Sequence, residues 1–316
     1  GYMVSSPKGA PKVGQGADPR RMMQVMDEVN RVVFGKPPEQ RGPEDIAKLE
    51  DLLQKNPDFV PGFRYLGVMR RANGDLEGAV KAFAHGVKLH PNSPDLRMML
   101  AECRGQLGQV EQAIDDLHIL LATQPDNAVA HLLCGRLLMV SDKPDSAIIS
   151  LLVATELEPD LLGCAEALEQ AYAKAGRSDE LLPYLNSMLE RHPRSSALRK
   201  AKSVLLYGQG QVDEAEVVLR DGLRLAPEDP QAVNNLVKLL LSSPDSEGKR
   251  VGEATALLAE LSDKEMQSDP DLMLTKSQVL GAQGKLGEAT TACQQALEMA
   301  KRSQRNAVAK RARQYL

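Results

Sequence analysis

Residues 57–91 read PDFVPGFRYLGVMRRANGDLEGAVKAFAHGVKLHP. Phe63, Leu66 and Gly67 set apolar and small side chains on one helical face, and Leu76, Ala79, Val80, Phe83 and Val87 do so again after a break. The break is Asn73-Gly74-Asp75: Gly takes the left-handed conformation that ends a helix, and Asp accepts bonds from the free amides that open the next. Pro91 then stops the second helix. The stretch predicts a helix, a tight turn and a second helix. One such pair cannot bury its apolar face alone, so it needs neighbours.

The neighbours recur in phase. Pro57, Pro91, Pro125, Pro159, Pro193 and Pro227 are evenly spaced, at a period of about 34 residues that suits one helix–turn–helix unit. Ala79, Ala113, Ala147, Leu181 and Ala215 keep the same period, as do Gly74, Gly108, Asp142, Gly176 and Gly210. This pattern resembles the tetratricopeptide repeat (TPR) family on Phe63, Leu66-Gly67, Ala79 and Pro91, over roughly residues 43 to 300. The resemblance implies an all-α fold, a right-handed α-solenoid of stacked antiparallel helix pairs. In it the small Ala lets helices approach closely.

The rest of the chain is placed around that array. Residues 1–18, rich in Gly, Pro, Ser and Ala, read as a flexible linker. Residues 19–56 form a degenerate helix pair acting as a cap. The array is expected over 57–301 as about seven repeats, five of them regular at 60–93, 94–127, 128–161, 162–195 and 196–229. Pro183 predicts a shifted helix start rather than a break, because the missing amide costs least in a first turn. Residues 242–253 read as an insertion, and 302–316 as a basic capping helix. The net charge of −4 hides an asymmetry: residues 301–316 carry six basic groups and no acid, leaving −10 for the remainder.

Composition points away from catalysis. Aromatic content is 3% with no Trp, and the helix formers dominate. Cys103, Cys134, Cys164 and Cys293 lack CxxC spacing and read as buried hydrophobes. No His pair has metal-ligand spacing. His90 and His192 share the position before the closing Pro, which suits a helix C-terminus. Gly208-Gln209-Gly210 is a repeat turn without the strand or Lys-Ser/Thr of a phosphate loop. We therefore expect no enzyme activity, no cofactor and no metal in this chain. No apolar run is long enough to span a membrane. The basic tail lacks interleaved aromatics, which favours a solubilising cap over a nucleic-acid or lipid contact.

In stacked helix pairs of this kind the first helices line the concave side. One face of each supplies Arg64, Tyr65, Val68 and Arg71; Met98, Met99 and Glu102; and Leu132, Leu133, Arg136 and Met139. Further on come Glu166 and Gln170; Lys200, Val204 and Tyr207; and Asn234, Asn235, Lys238 and Leu241. Apolar side chains ringed by Arg64, Arg71 and Arg136 fit a binding groove, and Met adapts to varied ligands. Met98, Met99, Leu132 and Leu133 equally fit packing between adjacent first helices. The expected function is a non-catalytic scaffold that binds a protein or peptide in the groove, chiefly over 60–161, with oligomerisation open. TPR members that clamp a C-terminal carboxylate use Lys and Asn at set places. Here only Lys200 and Asn235 meet that pattern, while Val204, Asp271 and Thr275 depart from it, so a chaperone-tail receptor is disfavoured.

A second resemblance lies at the front. A Gly-Tyr-hydrophobic start, a Gly/Pro/Ser linker and Asp-Pro-Arg opening a helix look like the junction in bacterial sulfatase-type hydrolases fused to TPRs. It covers the chain only as far as Arg20. It implies an accessory region that positions or oligomerises an upstream enzyme, in an exported rather than a cytoplasmic protein. The chain opens at Gly-Tyr-Met, so we expect a fragment of a longer protein.

Overall fold

The computed structural model describes residues 19–37, 40–242, 248–303 and 305–316, and among them every regular element is helical. The linker at 1–18 and the middle of the insertion therefore lie outside the described residues. The chain divides into two compact units, residues 1–125 and 126–316.

The first unit holds α1 (Pro19–Phe34), α2 (Pro43–Lys55), α3 (Val60–Ala72), α4 (Leu76–Leu89), α5 (Pro94–Gln106) and α6 (Val110–Thr123). Each helix packs on the next in sequence, as repeat arrays require. The cap pair buries Val25, Val29, Val33, Leu49 and Leu53 against Phe59, Leu66 and Met69. A second cluster centres on Phe83 with Ala79, Leu96, Leu100 and Cys103. Gly67 explains the Leu-Gly of the motif, since a Cβ there would collide with the Phe83 ring. Gly135 repeats the device in the second unit, its absent Cβ 2.5 Å from Leu151 Cγ.

The second unit holds α7 (Ala128–Val140), α8 (Pro144–Leu157), α9 (Cys164–Ala175), α10 (Leu181–Arg191), α11 (Ser196–Gly208), α12 (Val212–Leu225), α13 (Pro230–Ser242), α14 (Lys249–Ala259), α15 (Asp263–Ser268), α16 (Pro270–Ala282), α17 (Leu286–Arg302) and α18 (Asn306–Tyr315). The first helices α7, α9, α11, α13, α16 and α18 touch in series. The C-terminal helix thus stands where the first helix of another repeat would, and it buries Val308, Ala309 and Ala312 on Ala292, Cys293, Ala296 and Ala300. The fold is an all-α helical repeat solenoid.

The turns obey one backbone rule. Gly74, Gly108, Gly176, Gly210 and Gly284 have φ between 71° and 82°, and Asp142, at the same repeat position, has φ 58°. It is the one non-glycine of positive φ among the described residues, and Asp is among the side chains that tolerate that region. Asp75 caps α4 by accepting from Gly78 N at 2.8 Å. Ser93, Asn127 and Ser195 likewise cap α5, α7 and α11, and Asp229 accepts from Gln231 N at 2.9 Å at the start of α13. The caps of these first helices also recur at the repeat period, with Leu161 as the exception. There α9 starts late, behind a left-handed Gly163.

The Pro183 expectation holds: Ser178–Glu180 form a 3-10 turn and α10 begins at Leu181, with Pro183 in its first turn. His90 and His192 terminate α4 and α10. All four cysteines are buried and free. The short α15, between α14 and α16, was not foreseen. A capping box of Ser262 and Glu265 starts it, and Met266 anchors it in the core.

Candidate functional site

On the first helices of unit one, Arg71 of α3 donates to Glu102 of α5 at 2.9 Å, joining two repeats across the expected groove. Tyr65 meets the edge of Phe34 at 5.6 Å, and the exposed Arg64 lies 5.9 Å over the Tyr65 ring. Val68 and Met99 are half-buried against the Phe83 cluster, and Met98 is half-buried too. The edge of this face is polar, and its apolar residues lean on the core.

In unit two the expected residues separate into two groups. Leu132 is 6% exposed, Asn235 8% and Asn234 fully buried, so none of the three presents more than a sliver of surface, contrary to the expectation of a lining role. The reason for Asn234 lies in its partners. Its amide donates to Asp271 at 3.1 Å, and its carbonyl accepts from the Thr275 hydroxyl at 2.7 Å. Asp271 also receives Lys238, and Arg311 at 2.7 Å. A buried amide needs such partners, and α16 and α18 bring them.

The other group stays accessible. Arg136 is exposed and donates to Gly163 O at 3.1 Å. Leu133 and Met139 are half-buried, and Met139 O accepts from Lys174 at 3.0 Å. Lys200 pairs with Glu166, whereas the buried Asn235 donates to Ser196 O at 3.4 Å. The Tyr207 hydroxyl donates to Ser242 O at 3.0 Å. Arg136, Met139, Glu166 and Gln170 line a cavity of ≈ 360 Å³. Another, ≈ 560 Å³, runs from Glu166 past Lys200 and Asn235 to Asp269 and Arg305.

Electrostatics follow from burial and pairing. Burial pushes the Asp271 carboxyl up, but Lys238, Arg311 and Asn234 together bring it below the usual carboxylate range. Burial lowers Lys238, against the pull of Asp271. Glu166 likewise ends low, since Lys200 outweighs its burial. Asp269 and Arg305 form a further ion pair that ties α18 to the start of α16. The sequence reading did not assign these two residues to the site. A signal was present in the basic tail, which returns to Asp269 and Asp271 about one repeat length later. Among the described residues no His/Cys/Asp/Glu cluster has the make-up of a metal site, and no helix is long and apolar enough to cross a membrane.

The tetratricopeptide repeat family model matches residues 70–117 and 166–240. Over these residues the chain matches that family, and its helix pairs repeat in the same way. A TPR repeat-containing protein of Pseudomonas aeruginosa is 28% identical over 155 residues, which are 48% of this chain and 26% of that protein. The chain thus spans about a quarter of the curated relative it matches. Among solved structures, yeast Tom70 is similar with a TM-score of 0.58 at 14% identity, over 99% of this chain and 67% of that one. A tetratricopeptide repeat protein from Parabacteroides merdae is similar with a TM-score of 0.49 at 15% identity, over 93% and 99%. The Tom70 likeness concerns the fold alone. The sulfatase-like junction falls almost wholly on residues outside the described ones.

Proposed function

We propose that this repeat protein is an interaction scaffold, and that its first-helix face binds an extended peptide or a partner helix. The observation that carries the reading is the row of cavities along α7, α9, α11, α13 and α16. Residues picked from sequence line it, among them Arg136, Met139, Lys200, Tyr207 and Lys238. Concave sites with an apolar body and a few fixed polar groups are where ligands bind. On α3 and α5, Arg64, Tyr65, Arg71, Met98 and Glu102 offer a second stretch of the same kind of face.

The test is a photo-crosslinking amino acid placed at Tyr207 on α11, with a control at Val217, which is 58% exposed on the second helix α12. In extracts of the source cells the Tyr207 position should yield discrete adducts and the Val217 position none. Equal labelling at both sites, or labelling only at Val217, would overturn the assignment of the first-helix face.

A further inference from the structure

Two cavities of this face meet at Lys238 and Ser242, which line both. The smaller, ≈ 160 Å³, is an apolar slot with Leu219 and Leu239 at its floor and Val204 and Tyr207 as walls. Tyr207 is held in place across one repeat by its bond to Ser242 O. Val204 and Tyr207 remain 46% and 40% exposed, apolar surface that a ligand would remove from water. The larger, ≈ 610 Å³, runs over Ser277 and Gly281 to Leu286 and Tyr315, which are 71% and 58% exposed.

The walls of both cavities carry Lys200, Lys238 and Arg311 and no carboxylate. Asp271 is shared between Lys238 and Arg311, so one positive charge is in excess where the cavities meet. Lys200 is balanced by Glu166, on the side away from the slot. The chain as a whole carries −4, which makes this excess a local feature. A positive excess beside an apolar slot attracts a carboxylate more strongly than the same charge in open water.

We infer that the two cavities together bind an acidic peptide segment. One apolar side chain enters the slot between Val204 and Tyr207, and neighbouring Asp or Glu side chains lie against Lys238, Arg311 and Lys200. The inference rests on the first-helix face being a peptide-binding face, and it gives the C-terminal helix a second task. Besides covering the last repeat, α18 supplies Arg311 and Tyr315 as a wall of the site. A nucleic-acid strand would satisfy the charge but brings no aliphatic side chain to the slot.

The experiment selects random peptides displayed on phage against the full chain. The winners are then titrated as fluorescent, C-terminally amidated synthetic peptides. Enrichment of Asp and Glu beside Leu, Ile, Met or Phe is expected. Replacing the apolar residue by Ala, or making Val204→Glu or Arg311→Glu in the protein, should weaken binding by about tenfold or more. Melting curves on each variant separate lost binding from lost folding, and Val204→Glu alters an exposed side chain only. The inference is overturned by winners without acidic bias, by binding that requires a free C-terminal carboxylate, or by affinities that Val204→Glu leaves unchanged. An oligothymidylate binding with the same dependence on Val204 and Arg311 would overturn the choice of peptide. If Arg136→Glu abolishes binding but Val204→Glu does not, the first-helix face stands and this inference alone falls. If no peptide is selected, or if no substitution on the face matters, both fall.

Discussion

Helices α3–α6 and α13–α18 are built on the same repeat, yet their seams hold by different physics. In α3–α6 the seam between the α3–α4 and α5–α6 pairs is apolar: Phe83, Leu96, Leu100 and Ala79 are all at most 2% exposed, and the buried Asp116 with Arg97 and Arg104 lies inside one helix pair. The ion pair that crosses repeats, Arg71 with Glu102, is left at the half-exposed edge. In α13–α18 the corresponding seam buries Asn234, Asp271 and Thr275 and closes them with Lys238 and Arg311. The first region relies on area burial, which is non-directional and forgiving of shape changes. The second relies on partners that must all be present, because a half-satisfied buried network costs more than an apolar core.

The largest expected effect tests the apolar seam. Phe83→Ala should cost about 3–5 kcal/mol, read from urea denaturation of the full chain. A loss of under about 1 kcal/mol would mean that Phe83 is not the centre of its cluster. The polar seam comes next. Asp271→Ala should cost about 2–3 kcal/mol, on the low side for a buried pair because Arg311 still reaches water. The double change Asp271→Leu with Lys238→Met should recover much of that, since it removes both charges together. If the double variant is no better than the single one, the network is not what holds the seam.

Two glycines should respond with opposite signs. Gly108, at φ 76°, should lose about 1 kcal/mol as Gly108→Ala. Gly208 ends α11 with space for a Cβ, so Gly208→Ala should gain about 0.5–1 kcal/mol. Melting temperatures moving the same way for both would contradict the turn geometry.

The smallest effect is in pH. Burial pushes the Asp116 carboxyl of α6 up despite Arg104 and Arg97, whereas Asp271 is held down by its cations after burial is counted. A depressed carboxylate stabilises above its unfolded pKa and loses that as pH falls through its folded value. Acidification below the ordinary Asp value of 3.8 should therefore weaken α13–α18 at Asp271. Over the window above 3.8, a raised Asp116 works the other way, and its contribution improves as pH falls. Hydrogen exchange of α6 and α16 amides between wild type and Asp116→Asn or Asp271→Asn checks the signs separately.

The repeat period, the turn glycines and the closing prolines set the helix–turn–helix order of the regular repeats, though not the late start of α9 or the short α15. They act through local rules, namely left-handed φ, missing amides and caps, that a linear pattern records in full. Even Asp142, the one departure among the turn residues of the regular repeats, keeps their geometry. The site was legible only in part, because a helical face identifies what points toward a neighbour but not whether the neighbour covers it. Arg136, Lys200 and Tyr207 are accessible, while Leu132, Asn234 and Asn235 are covered.

By itself, then, the sequence determined the repeat and the class of fold. Tertiary structure alone decided that Asn234 is core and that the basic tail is spent partly on Asp269 and Asp271. It also decided that Lys238 and Arg311 share a single carboxylate. The physical reason is range. Turn and cap preferences act within a few residues, whereas burial and charge balance depend on groups 33 to 41 residues away that folding brings within hydrogen-bond distance.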